Sequence, residues 1–215
     1  MIILVCLAFL LSLPVVSSAD VARTPCCTPE IFTAELYVLS AVLTSGSSQP
    51  SISDDVIHLT YDYTRRQTRQ IGRKLVDPAT GARTNYIMFS DYKHHKVYTL
   101  KNGMCTVEPL TFPMIEPCVA ANFNYGGSYH IYSGVNSSQV HMWSGLYLGA
   151  LRMSVHVSGS ECEPVSLSYH GVVPGVGVHL LTTSRFLDVT TYTSLPPAVF
   201  SLPDECKHLP QLQGK

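Results

Sequence analysis

The sequence predicts a mainly β protein, paired antiparallel, with little helix. Short runs rich in Val, Ile, Thr, Tyr and Phe recur between turn residues along most of the 215 positions. Residues 57–63 alternate cleanly: Ile57, Leu59, Tyr61 and Tyr63 share one face, and His58, Thr60 and Asp62 the other. Asn102-Gly103 separates two further runs, and Asn-Gly is a strong hairpin signal because both residues accept positive φ.

Taken in order, the chain opens with an apolar run from Ile2 to Leu13, then Pro14, then Ser17-Ser18-Ala19. Small residues in that place, after such a run, predict a secretory signal peptide over 1–19, although no Lys or Arg precedes the run. The run is short of the ~20 residues of a spanning helix, and no later stretch is long and apolar enough to cross a bilayer. Residues 20–215 are expected to form one secreted domain. Its ordered part begins at Cys26-Cys27-Thr28-Pro29-Glu30. Residues 31–43 suit a helix by propensity and a strand by their β-branched and aromatic content. Residues 44–53 are Ser-, Gly- and Pro-rich and read as a loop.

A basic stretch follows the alternating strand, with Arg65, Arg66, Arg69, Arg73 and Lys74. It suits a solvated outer strand and hairpin, or a site for anionic headgroups and acidic glycans. Leu75 to Gly81 reads as a turn. Strands are expected at Tyr86–Phe89, Lys96–Lys101 and Cys105–Phe112, with Asp91 to His95 in a turn and irregular chain from Pro113 to Asn124. Ser128–Tyr132 is a further strand. Asn136-Ser137-Ser138 is an N-glycosylation sequon, which makes Asn136 the expected glycan acceptor. Gln139–Ser144 alternates, residues 145–157 suit strand or short helix, and strands at Pro164–His170, Val178–Thr182 and Phe186–Thr191 complete the count.

Composition narrows the function. Net charge is −1 and only 13% of residues are charged, below the ~25% typical of globular chains. A nucleic-acid partner calls for a concentrated basic face and is not expected. So few charges leave apolar surface for a partner or apolar lining for a cavity. Of the 7 cysteines, Cys6 falls in the signal region. Cys26, Cys27, Cys105, Cys118, Cys162 and Cys206 remain, enough for three disulfides in any of fifteen connectivities. Adjacent Cys26 and Cys27 are not expected to pair with each other. Zinc is disfavoured, since no closely spaced ligand pair such as Cys-x-x-Cys occurs.

Catalytic motifs are missing. The chain carries no Gly-x-Ser-x-Gly elbow, His-Glu-x-x-His pair or phosphate-binding Gly-x-x-x-x-Gly-Lys loop. His94-His95 are neighbours that point apart on a strand or sit in an exposed turn, and Asp54-Asp55 lack an EF-hand loop around them. No catalytic residue and no organic cofactor is expected.

The order of several pieces resembles the ependymin family, in its invertebrate-type members. These pieces are Pro25-Cys26 with Pro29, Tyr61-Asp62 followed by arginines, and Tyr86-Ile87-Met88-Phe89. Val97-Tyr98 leading to Cys105, Trp143, and Cys162 with Pro164-Val165 follow. Ser184-Arg185-Phe186-Leu187-Asp188-Val189 and the closure Pro197-Ala198-Val199-Phe200 to Cys206 complete the pattern. The resemblance implies a secreted glycoprotein built as a curved antiparallel β-sandwich or half-open barrel, like bacterial lipoprotein carriers. It also implies a homodimer, a deep apolar pocket for lipid-like ligands, calcium binding, and a role in extracellular matrix or cell contact. By position it implies the disulfides Cys26–Cys162 and Cys105–Cys206. The vertebrate pattern places a cysteine just before the strand matching Tyr86–Phe89, with a partner near the C-terminus. This chain has Cys27 and Cys118 instead, which are expected to form the third bridge.

A sheet curled about a ligand needs apolar or aromatic side chains on its concave face. The expected lining is Leu59, Tyr61, Ile87, Phe89, Tyr98, Leu100, Trp143 and Tyr147; the bland alternative is that these residues fill an ordinary sandwich core. The function this supports is a secreted binding protein for hydrophobic ligands. The alternatives are a matrix or biomineral-associated calcium-binding glycoprotein and, more remotely, a secreted hydrolase.

Overall fold

Residues 31–43 settle as a strand, β1 (Ile31–Leu43). Phe32, Ala34 and Leu36 are buried on one face while Glu35 and Tyr37 are exposed on the other, so a period of two prevails over helix propensity. Both edges of β1 are paired antiparallel, one by β2 (Ser51–Asp62) and the other by β11 (His179–Thr191). The computed structural model describes residues 24–74, 84–133, 136–159, 161–173 and 177–207. The expected signal peptide, the turn at 75–81 and the residues just before Asn136 lie outside the described residues.

The remaining strands are β3 (Gln67–Lys74), β4 (Thr84–Asp91), β5 (Lys96–Lys101) and β6 (Met104–Pro109). After a long connection come β7 (Asn124–Ser133), β8 (Asn136–Tyr147), β9 (Leu151–Ser158) and β10 (Pro164–Val172). All eleven form one sheet in the order β6-β5-β4-β3-β2-β1-β11-β10-β9-β8-β7. Asn102-Gly103 takes the positive φ that a two-residue hairpin demands, at 52° and 74°, and the three-residue β8–β9 turn also takes positive φ at Leu148 and Gly149, 52° and 72°.

Two local expectations are corrected. The basic stretch does not form an outer strand, because β3 is paired on both sides, by β2 and β4. The segments expected at Val178–Thr182 and Phe186–Thr191 are one strand, because Ser184 and Arg185 keep their pairing with Val38 and Tyr37. The irregularity falls later, at Asp188, whose φ is 50° and beside which the register against β1 shifts.

The sheet is open and curled. Tyr92, just past β4, bears on the ionisation of Tyr147 at the end of β8 and Tyr169 on β10. In a flat sheet β4 and β8 would stand seven strand spacings apart, about 33 Å. Both buried clusters lie on the inner face of the curl. One gathers Phe32, Ala34, Leu36, Ile57, Leu59 and Tyr61; the other gathers Trp143, Met153 and Val157. The connection at residues 110–123 joins the two edge strands and crosses this inner face as a strap, giving Met114 to the first cluster and Val119 and Phe123 to the second.

The C-terminal segment crosses the opposite, outer face. Arg65 Nη2 donates to the Leu195 carbonyl at 2.8 Å, a 3-10 turn at Pro197–Phe200 packs on β3, and helix α1 (Asp204–Lys207) reaches β5 and β6. That cover explains why Thr60, Asp62 and Phe89 are buried although they face away from the curl. The disulfides are Cys26–Cys162, Cys27–Cys118 and Cys105–Cys206.

Candidate functional site

Between strap and sheet lies a cavity of about 330 Å³. The sheet supplies Phe32, Leu59 and Tyr61 from one half, and Met153, Val155, Leu167 and Phe186 from the other. The strap supplies Pro113 to Ala120 with Asn122 and Phe123, the end of β8 adds Leu146 and Tyr147, and the turn after it adds Leu148. The lining is predominantly apolar, with Thr28, Glu116, Asn122 and Ser166 as its polar points. This is the form of a small-molecule site: an apolar wall with a few polar groups that orient what enters.

Tyrosine hydroxyls hold the strap in place. Tyr61 Oη donates to the Ile115 carbonyl at 2.7 Å, and Tyr147 Oη to the Pro113 carbonyl at 3.4 Å. Phe32 stacks on the Tyr61 ring with centroids 4.9 Å apart. Burial, with Tyr63 nearby, pushes the Tyr61 phenol above its ordinary range, and burial does the same for Tyr92, Tyr147 and Tyr169. All four are therefore neutral donors at physiological pH. At its other end the strap is fixed to the segment just before β1. Thr28 N and Thr28 Oγ1 donate to the Pro117 carbonyl at 2.8 Å and 3.0 Å, and Val119 N donates to the Cys26 carbonyl at 2.9 Å.

The eight residues expected to line a pocket are divided. Leu59, Tyr61 and Tyr147 line the cavity. Trp143 stands on the same face but is buried in the wall, 3% exposed, against Tyr125. Ile87, Phe89, Tyr98 and Leu100 are on the outer face. Leu59 is opposite Gln70, Gln70 opposite Met88, and Met88 opposite Thr99, so Met88 shares the inner face and its neighbours do not. Alternation within a strand says which residues go together; only the cross-strand register says which group meets the curl. Phe89 lies under the Arg69 guanidinium, and Ile87 and Leu100 line a broad trough of about 890 Å³ with Glu35, Tyr37, His58 and Ile71.

The strap residues and the β9–β10 lining were not anticipated. Met114, Ile115, Val119 and Phe123 sit in chain without periodicity, and four apolar residues in an irregular stretch were the signal available. Other sequence candidates fall apart from the cavity. Asn136 opens β8 opposite Ser133. Asp54 and Asp55 are consecutive on β2 and so point to opposite faces. His94 lies in the turn after β4, its Nδ1 2.7 Å from Asp91 Oδ2. Among the described residues there is no group of three or more His, Cys, Asp or Glu side chains arranged to hold a metal ion, and no helix long and apolar enough to cross a membrane.

Residues 80–206 match the family model described as Ependymin, well over half of the chain. The chain belongs to the ependymin family. No curated protein sequence matches this chain. Among solved structures it is similar to an uncharacterized conserved protein from Thermus thermophilus, at 9% identity and a TM-score of 0.46, covering 83% of this chain and 88% of that one. It is also similar to a LolA superfamily protein from Nitrosomonas europaea, at 7% identity and a TM-score of 0.32 over 79% and 90% of the two chains. A putative outer membrane lipoprotein-sorting protein domain from Vibrio parahaemolyticus is similar at 7% identity and a TM-score of 0.34 over 79% and 88%.

Proposed function

We propose that this chain is a secreted carrier that shelters one hydrophobic molecule between the strap and the curled sheet. The observation that carries the reading is the apolar cavity itself, bounded by both halves of the sheet and by the strap that joins its two edges. At about 330 Å³ it stands at the lower end of the ~300–1,000 Å³ of small-molecule sites. One acyl chain or one compact ring system fits that space; a two-chain phospholipid does not. Three disulfides, the N-terminal apolar run and the Asn136 sequon support an extracellular glycoprotein.

The test is extraction of the purified protein followed by mass spectrometry, with titration of a fluorescent polyene fatty acid. Leu167→Trp and Val155→Trp fill the cavity and lower probe affinity by roughly tenfold or more, while Ile87→Trp in the outer trough leaves it unchanged. A protein that carries no lipid and takes up no probe overturns the reading, as does an equal loss in Ile87→Trp.

The outer face favours a second element of the reading, a homodimer. Tyr37, Leu39, Ile52, Leu181 and Leu187 all stand on the outer side of β1, β2 and β11 and are 45% or more exposed. Contiguous exposed apolar side chains of this size mark protein contact surfaces. Sedimentation of Leu39→Asp with Leu181→Asp is expected to give a monomer where the parent gives a dimer; a monomeric parent removes this element. Calcium and matrix attachment belong to the same proposal as properties of the family, and calcium titration before and after deglycosylation tests whether the glycan carries them.

A further inference from the structure

The strap carries much of the cavity wall, and one disulfide alone ties it to the rest of the chain. Cys27 meets Cys118 across an isolated antiparallel bridge, with both residues exposed. The other two bridges are different. Cys162 is 6% exposed and joins Cys26 to the chain leading into β10, and Cys206 is 3% exposed and joins the C-terminal helix to β6. A thiolate must reach a sulfur in line with the bond it breaks, so exposure decides which bridge exchanges first. Only the Cys27–Cys118 bridge has both residues open to solvent.

We propose that Cys27–Cys118 is a thiol–disulfide exchange site, and that its opening frees the strap and unlocks the cavity. The second part rests on the cavity being the binding site. The reductant is a dithiol, whether a small molecule or the active site of an oxidoreductase. One of its thiolates attacks Cys118 Sγ, forming a mixed disulfide and expelling the Cys27 thiolate, which takes up a proton. Its second thiol then attacks the mixed bond, leaves as a disulfide, and releases Cys118 as a thiol. Two electrons and two protons pass to the protein. With the bridge gone, Pro113 to Val119 is held by the Tyr61, Tyr147 and Thr28 hydrogen bonds, by the Val119 N to Cys26 carbonyl bond, and by buried Met114, Pro117 and Val119. A surface segment with so few anchors opens locally without global unfolding. Cys26–Cys162 and Cys105–Cys206 meanwhile keep the sheet and both ends of the described chain in place.

The experiment titrates the oxidised, purified protein with dithiothreitol, traps free thiols by alkylation, and maps them by peptide mass spectrometry. Hydrogen exchange at the amides of Thr28 and Val119 is followed in parallel, since both are bonded across the strap boundary. Release of a bound fluorescent polyene fatty acid is the third readout. Cys27 and Cys118 are expected to be labelled while the other four cysteines stay oxidised. Exchange at Thr28 and Val119, and probe release, then accelerate by roughly tenfold or more. Cys27→Ser with Cys118→Ser is expected to show the fast values without reductant and no response to it; if that variant fails to fold, the reduced parent still supplies all three readouts. Labelling of the other bridges at the same or lower reductant overturns the proposal, and so does unchanged amide exchange after selective reduction. Faster exchange in a protein that never binds the probe upholds the exchange site and strikes down the carrier reading instead.

Discussion

Replacing Tyr61 by phenylalanine removes one oxygen from the inner wall and leaves the ring in place. The structure says what that oxygen does: it donates to the Ile115 carbonyl at 2.7 Å, while the ring keeps its stack with Phe32 at 4.9 Å. A neutral hydrogen bond contributes about 0.5–1.5 kcal/mol net, and a partly buried carbonyl left without its donor adds a cost of similar size, so a loss of about 1–2 kcal/mol is expected. For a domain of this length each kcal/mol moves Tm by about 2–4 °C. Urea unfolding with all disulfides intact measures the change as a lower midpoint at constant slope. The same variant releases a bound fatty-acid probe faster, because the bond it loses holds the strap. Tyr61→Phe with an unchanged midpoint and unchanged release would refute the assignment of this phenol as a strap anchor.

Three further outcomes follow from the geometry. Burial, with Asp55 nearby, pushes Tyr86 up to about 12 from 10.0, and burial raises Tyr61, Tyr92, Tyr147 and Tyr169 as well. The folded state thus keeps protons that the unfolded state gives up. Stability is full below pH 10 and falls as pH rises through the native values, and a phenolate absorbance titration is expected to show these tyrosines ionising together with unfolding. A methyl group at Gly72 would overlap the Tyr86 ring laid across it. Gly72→Ala is expected to cost about 1–3 kcal/mol in urea unfolding, less when Tyr86 is already alanine. Asp62, 1% exposed, accepts from Thr64 Oγ1 at 2.7 Å and from Arg65 N at 2.9 Å, and Arg65 Nε stands 3.6 Å away. Asp62→Ala leaves those donors unmet and is expected to cost about 2–3 kcal/mol, with earlier proteolysis near Leu195 as the Arg65 contact loosens.

The β class was legible because alternation and turn chemistry are local. Ile57, Leu59 and Tyr61 share a buried face as their spacing indicates, and Asn102-Gly103 turns the chain where both residues accept positive φ. The site was legible only in part. Leu59 and Tyr61 were placed by their own strand, but Ile87 and Phe89 follow from a register that no single strand encodes. The strap escaped for a related reason. Met114 and Phe123 are buried by tertiary contact alone, without a period of two or of 3.6 to announce it. Position in the family pattern gave Cys26–Cys162 and Cys105–Cys206, where spacing left fifteen connectivities open, and Cys27–Cys118 follows as the pair this chain has in place of the vertebrate one.

One dipeptide has a consequence for how the molecule is made. Cys26 is bonded to Cys162 and Cys27 to Cys118, so a slip of a single residue exchanges the two partners while leaving both sulfur pairs satisfied. The native and slipped isomers differ in which of the two adjacent cysteines holds the strap and which holds the chain before β10, and reshuffling between them takes seconds to hours unless catalysed. Oxidative maturation of this chain therefore calls for proofreading at Cys26-Cys27, and a disulfide isomerase is the catalyst suited to provide it.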